Sequence, residues 1–276
     1  GFEAERYSAA PAAFPPEAER RRRDFPDNLL ATATHDHKRG EDTRARLAVL
    51  SECAPWYVEQ VEHWRTLAAP LRDDATTPSA GDELILYQVL LGSWPLGLDL
   101  HDDNALRQYA ERIRQWQQKA LREAKLRSSW SAPNDAYEAA CARYIDGLLL
   151  DGENQQLRKS LADAAQLIAC PGALNGLVQA LLRMTVPGVP DLYQGNEYWD
   201  FSLVDPDNRR PVDYASRRRT LDDATPVAEL LAHWRDGRVK QALIARVLDC
   251  RQAHAELFRR GAYLPLTVQG RHADKV

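Results

Sequence analysis

Apolar side chains fall into three regimes along this chain. Residues 29–34, Leu-Leu-Ala-Thr-Ala-Thr, form a short apolar and β-branched run bounded by polar residues, which predicts a buried strand. From residue 43 to 184 the spacing becomes helical. Leu47, Leu50, Trp56, Val61, Trp64 and Leu67 mark two successive amphipathic helices. Pro55 opens the second, where no amide hydrogen is needed. A loop is expected over 76–81, a short apolar helix over 83–91 and a long, highly charged helix over 103–127. Asn134 is suited to cap a helix over 136–150, and Asp151-Gly152 to end it. Two more helices, 157–169 and 173–185, are expected on either side of Pro171-Gly172, and no repeat of solenoid period emerges.

The flanks read differently. Residues 187–195 suggest turn, short strand, turn, followed by a polar loop over 205–214 and helices over 224–234 and 239–256. The run at 263–268 reads as the first strand of a further domain. Residues 1–28 read as loop with one short helix, and Arg20 to Arg23 as a solvated face or an anion site.

Composition narrows the class. The 276 residues are 44% hydrophobic and 28% charged, enough for one large or two ordinary domains. Thirty-six Lys and Arg against 40 Asp and Glu leave a net charge of −4. So balanced a chain argues against nucleic acid or an anionic membrane as partner. No apolar run approaches the roughly 18 residues of a membrane span, and no signal-peptide core opens the chain, so a cytoplasmic location is expected. Cys53, Cys141, Cys170 and Cys250 are far apart and form no CxxC. That fits reduced thiols, and neither a metal nor a cofactor is expected. The one methionine is Met184 and the chain opens on Gly1, which suggests a piece of something longer.

The 29–34 run leads straight into His35-Asp36-His37-Lys38-Arg39-Gly40-Glu41-Asp42. Charged residues crowded at the end of a buried strand are where parallel α/β folds place chemistry. Two short strands, each ending in a carboxylate- and Gly-rich loop, with helices between and after, suggest a slice of a (β/α)8 barrel.

The segment Thr34-His35-Asp36-His37-Lys38-Arg39-Gly40-Glu41-Asp42-Thr43-Arg44 resembles the one after barrel strand seven in maltooligosyltrehalose synthases, of the α-amylase clan. Pro187-Gly188-Val189-Pro190-Asp191-Leu192-Tyr193-Gln194-Gly195-Asn196-Glu197 is similar to their strand eight and its loop, and Leu203 to Tyr214 to the loop that follows. Trp130-Ser131-Ala132-Pro133-Asn134 and Tyr137-Glu138 extend the likeness into the helical stretch. The resemblance implies a mainly α chain: a helical insertion domain plus the last two strand–helix units of a (β/α)8 barrel, truncated at the start of a C-terminal β domain. On it, 1–42 is the barrel segment with strand seven and its catalytic loop, and 43–185 the helical insertion. Residues 186–256 hold strand eight, its loop and the terminal barrel helices, and 257–276 begin the β domain.

The family converts the reducing-end α-1,4 linkage of a maltooligosaccharide into an α,α-1,1 linkage. Its clan uses an Asp nucleophile, a Glu acid/base and a second Asp that binds sugar hydroxyls. Asp36 matches that second Asp and His35 its neighbouring hydroxyl donor. No segment here resembles the nucleophile or acid/base motifs, which are expected on earlier barrel strands of the same protein, so the chain alone is expected to be inactive.

Each residue also has a plainer reading. Asp36 could be an ordinary loop or N-cap residue. Lys38 and Arg39 either position an acceptor glucose or pair with Glu41 and Asp42. His37 departs from the Thr of the family, leaving a surface role or a sugar contact. Tyr193, Gln194 and Glu197 could face sugar, and Tyr193 could equally be core. Asp205, Asp207, Asn208 and Arg209 read as loop bracing, and most of the seven tryptophans as core, with Trp199 open. Two competing functions remain: a non-catalytic helical binding or packing domain, and a fragment of an amylase-like or trehalose-releasing hydrolase.

Overall fold

A computed structural model describes residues 8–74, 76–271 and 273; the remaining parts of the first and last predicted segments, and residue 75, lie outside the described residues. The first helix, α1 (Phe14–Asp24), has Pro15 and Pro16 in its opening turn, where amides have no helical partner. Its basic run is a solvated face, with Arg20 paired to Glu17 and Arg22 to Glu19.

The two strands are β1 (Leu29–Leu30) and β2 (Val189–Pro190), paired in parallel with Leu29 opposite Val189 and Leu30 opposite Pro190. The Val189 amide donates to Asn28 O at 2.9 Å and the Asp191 amide to Leu30 O at 3.0 Å. Both strands are shorter than the runs at 29–34 and 187–195 suggest. A strand extends only as far as its partner, and Pro190 has no amide to offer. Gly188 makes the approach possible. Its φ is +131°, and a Cβ there would lie 2.7 Å from Leu30 Cγ.

Between the strands run α2 (Glu41–Ala48), α3 (Ala54–Leu67), α4 (Ala80–Ser93), α5 (Asp103–Ala124), α6 (Asp135–Leu149), α7 (Gln155–Leu167) and α8 (Ala169–Thr185). Local chemistry sets their starts. Asp102 Oδ1 accepts from the amides of Asn104 and Ala105, and Asn134 Oδ1 accepts from Tyr137 N at 3.1 Å. The break between α7 and α8 falls at Ile168, upstream of the expected Pro171-Gly172. Pro171 is only the third residue of α8, where its missing amide hydrogen breaks no bond. Trp64, Leu86, Tyr87, Leu90, Leu91, Trp94, Tyr109, Ile113, Tyr144 and Leu148 form the main core, and Leu203 and Val204 from the loop after β2 plug into it.

After β2 come α9 (Tyr214–Leu221), α10 (Val227–Ala232), α11 (Arg238–Ala253) and α12 (Ala255–Arg260). The helix α9 begins where a loop was expected to end: Asp213 caps it, accepting from Ser216 N. The helix expected over 239–256 is interrupted at His254. Residues 263–268 form no strand, since nothing among the described residues pairs with them. One stretch, Gly152–Thr185, is by length and composition apolar enough to cross a membrane, which corrects the sequence-level count. Here it is broken into α7 and α8, with α8 packed on α2 and α11.

Candidate functional site

The loop between β1 and α2 is folded around His37. Its Nδ1 accepts the Thr34 amide at 3.2 Å, and its own amide reaches Thr34 O at 3.4 Å. The ring lies between β2's loop and the 202–208 segment, with Nε2 3.3 Å from Ser202 Oγ and Tyr193 edge-on at 5.9 Å. Burial holds the imidazole below the usual histidine range; Asp200 opposes this and Arg44 adds to it. His37 is thus an interior anchor, and the surface role is corrected. Asn208 ties the same turn from outside, donating to His35 O at 2.8 Å and Thr34 O at 3.4 Å. Next along the chain, Gly40 N donates to Ser202 O at 2.7 Å, and Arg39 bridges Leu203 in antiparallel fashion. A Cβ on Gly40 would lie 2.7 Å from Asp200 O, so only glycine allows this contact.

These anchors leave His35 and Asp36 at the tip. The Asp36 side chain is 69% exposed and 3.9 Å from Lys38 Nζ, which in turn pairs with Glu123 of α5 at 3.1 Å. Tyr193 joins this group through His37. Gln194 is exposed, and Glu197 turns to Arg217 at 3.0 Å, bracing the loop whose Gly195 O the same guanidinium holds.

Behind the tip the charges pair in a way the sequence did not indicate. Glu41 and Asp42 do not pair with Lys38 or Arg39. Lys240 of α11, fully buried, donates to Glu41 Oε1 at 2.6 Å, Asp42 Oδ2 at 2.7 Å and Tyr198 O at 3.2 Å. Arg183 of α8 donates to Glu41 Oε2 at 2.7 Å and to Thr32 Oγ1, and the Asp200 amide closes on Asp42 at 2.6 Å. Burial opposes ionisation of Glu41, but Lys240 and Arg183 overcome it and hold the carboxyl at about 2. Burial dominates at Asp42, pushing it up to about 6 against the pull of Lys240. Lys240 falls on the same helical face as Ile244; a lysine on an apolar stripe was the available signal.

Two further arginines hold the second loop. Arg46 donates to Leu91 O, Gly92 O and Trp94 O, satisfying carbonyls at the end of α4, and its guanidinium lies 3.8 Å from the Phe201 ring centre. Arg112 of α5 grips Asp207 with two bonds of 2.9 Å. Burial raises Asp207, but the bonds and charge of Arg112 bring it below the usual range. Of the bracing read into 205–209, Arg209 on Asp205 lies within the loop, while Asp207 and Asn208 are held by partners elsewhere in the chain. Trp130-Ser131-Ala132-Pro133-Asn134 is the turn into α6, where Arg122 and Ser128 fasten Glu138.

A cavity of about 330 Å³ opens between these braces, lined by Arg112, Asp200, Asn208 and Arg210, together with Gln194 and Trp199, the tryptophan left open by the sequence. A larger groove of about 730 Å³ runs along the open side of β1, where Phe14, Phe25, Leu29, Val178 and Leu182 present apolar surface. Among the described residues no three His, Cys, Asp or Glu side chains are arranged to hold a metal ion.

No family model matches the chain. A curated relative from Mycobacterium tuberculosis, named "Putative maltooligosyl trehalose synthase", is 38% identical over 276 residues, all of this chain and 32% of the relative. A solved structure described as a hypothetical maltooligosyl trehalose synthase of Sulfolobus tokodaii is 29% identical, with a TM-score of 0.81 over 98% of this chain and 34% of that one. The maltooligosyltrehalose synthase of Arthrobacter ramosus is 32% identical, with a TM-score of 0.76 over 99% of this chain and 33% of that one. The chain thus spans about a third of the relatives it matches.

Proposed function

We propose that this chain is the part of a maltooligosyl trehalose synthase that carries the last two strand–helix units of a (β/α)8 barrel and the helical insertion between them. In the longer protein it contributes one wall of the sugar site. The observation that carries the reading is the parallel pairing of β1 with β2, which sets the Asp36 loop against the Tyr193 loop at the C-terminal ends of adjacent strands. The full-length match to relatives of that name supports it.

On this reading the reaction breaks one glucosidic bond and makes another within the same oligosaccharide, consuming no water. The ring that is cut flattens toward an oxocarbenium ion. Asp36 accepts hydrogen bonds from that ring's hydroxyls, and these bonds tighten as the ring flattens, which lowers the barrier. His35 donates to the same sugar, Lys38 and Arg39 orient the released glucose for its return, and Tyr193 and Gln194 line the approach. The nucleophile and the acid/base come from strands outside this chain, which also cover the open side of β1.

The test compares the chain with the longer protein on maltohexaose. The longer protein is expected to consume reducing ends without releasing glucose, and the chain alone to do neither. Retaining chemistry needs two carboxyls roughly 5 Å apart across one bond, and Asp36 cannot serve as both. Sustained loss of reducing ends by the purified chain, or steady release of reducing sugar by the longer protein, overturns the reading.

A further inference from the structure

In the turn that presents His35 and Asp36, between Thr34 and His37, the one buried side chain is His37. The backbone of the turn is closed by one bond to that ring, the Thr34 amide donating to Nδ1 at 3.2 Å. We propose that His37 is the positioning residue of the Asp36 loop, a neutral imidazole whose protonation opens the turn. The proposal rests on the reading above only for its purpose, since the geometry of the latch stands without it.

Neutral, the ring accepts at Nδ1 and carries its hydrogen on Nε2, where Ser202 Oγ can receive it at 3.3 Å. A proton added at Nδ1 turns the acceptor into a donor. The Thr34 amide then faces a second N–H and loses its partner. No other group inside the turn replaces it, because Asn208 also meets the ring donor-first, with Nδ2 3.5 Å from Nε2. The charged groups around the ring are mixed. Asp200 from the loop after β2, the Thr34 backbone and Glu41 of α2 favour the cation, while burial and Arg44 of α2 oppose it. Tyr193 presents its edge and contributes no charge. Above the range in which the ring titrates, the Thr34 amide is held by Nδ1; below it, that amide is released while the Asn208 bonds to His35 O and Thr34 O stay in place, so the turn loosens at Thr34 first.

Amide exchange of Thr34 in the 276-residue chain reads the latch directly. Its protection factor, referred to the core amide of Leu90, is expected to fall about tenfold between about pH 7.5 and about pH 5, the loss of one hydrogen bond. His37→Asn places an uncharged oxygen near the position of Nδ1, and is expected to keep Thr34 protected with no change across that range. His37→Ala is expected to leave Thr34 unprotected at both values while Leu90 stays protected. Equal wild-type protection at both values overturns the proposal. So does a pH-dependent fall that survives in His37→Asn, since Asp42, pushed up to about 6 and bonded to the Asp200 amide, would then be the titrating group. The measurement needs no sugar, so its failure leaves the role of Asp36 untouched, and failure of the sugar assay leaves the latch standing.

Discussion

Asp36 and Glu41 lie five positions apart in one charged run, yet the fold treats them in opposite ways. Glu41 is sealed between Lys240 and Arg183, whereas Asp36 is left in water beside a single lysine. In the longer protein Asp36→Asn is expected to reduce turnover at least about a hundredfold, near 3 kcal/mol of transition-state binding, with a smaller change in KM. Steady-state rates on maltopentaose check this, and near-normal turnover would remove Asp36 from the site. The density of charge after the first apolar run was legible in the sequence. Which of its carboxylates is exposed and which is structural was not, because the deciding partners arrive from far along the chain. Lys240 is 199 positions from Glu41, and Arg183 is 142. His37 shows the same limit: its neighbours Ser202 and Asn208 belong to a loop that only the strand pairing brings near.

The start of α6 was readable because Asn134 caps its own helix, and that chemistry is local. Helix ends and strand lengths depended on what lay alongside, so the break at Ile168 and the two-residue strands were not. The joint between α2, α8 and α11 is where those contacts are tightest. Lys240→Met would leave Glu41 and Asp42 buried with one cation fewer, and is expected to destabilise the chain by about 3–5 kcal/mol in urea unfolding. The pH dependence has a definite sign. Without Lys240, Asp42 rises further above its unfolded value near 4, so the folded state binds more protons and the variant loses stability as pH rises from about 4 to 7. In the wild type Asp42, at about 6, already has this sign over a narrower range, while the contribution of Glu41, held at about 2 by Lys240 and Arg183, is lost as pH falls toward that value. A second test lies across the same joint. A Cβ on Gly172 would sit 2.7 Å from Arg46 Cα, so Gly172→Ala must move backbone between α8 and α2. Thermal unfolding should show a loss of about 1–3 kcal/mol, despite the better helix propensity of alanine.

The two strands are separated by the whole helical stretch, and only a few backbone bonds join them. The main core is built largely from α3 to α7, with Leu203 and Val204 added from the loop after β2, and it includes no residue of β1. Closing a loop that long is unfavourable until most of it is already compact. In native-state exchange the amides of Val189 and Asp191 are therefore expected to open at lower free energy than that of Leu90. Protection of Val189 equal to that of Leu90 would show a single cooperative unit instead. The short ribbon thus gives the molecule an order of assembly: the helical mass comes first and the Asp36 loop last. Reversed, the same order means that mild denaturant should separate the Asp36 tip from the Tyr193 loop while the helical circular dichroism is still intact.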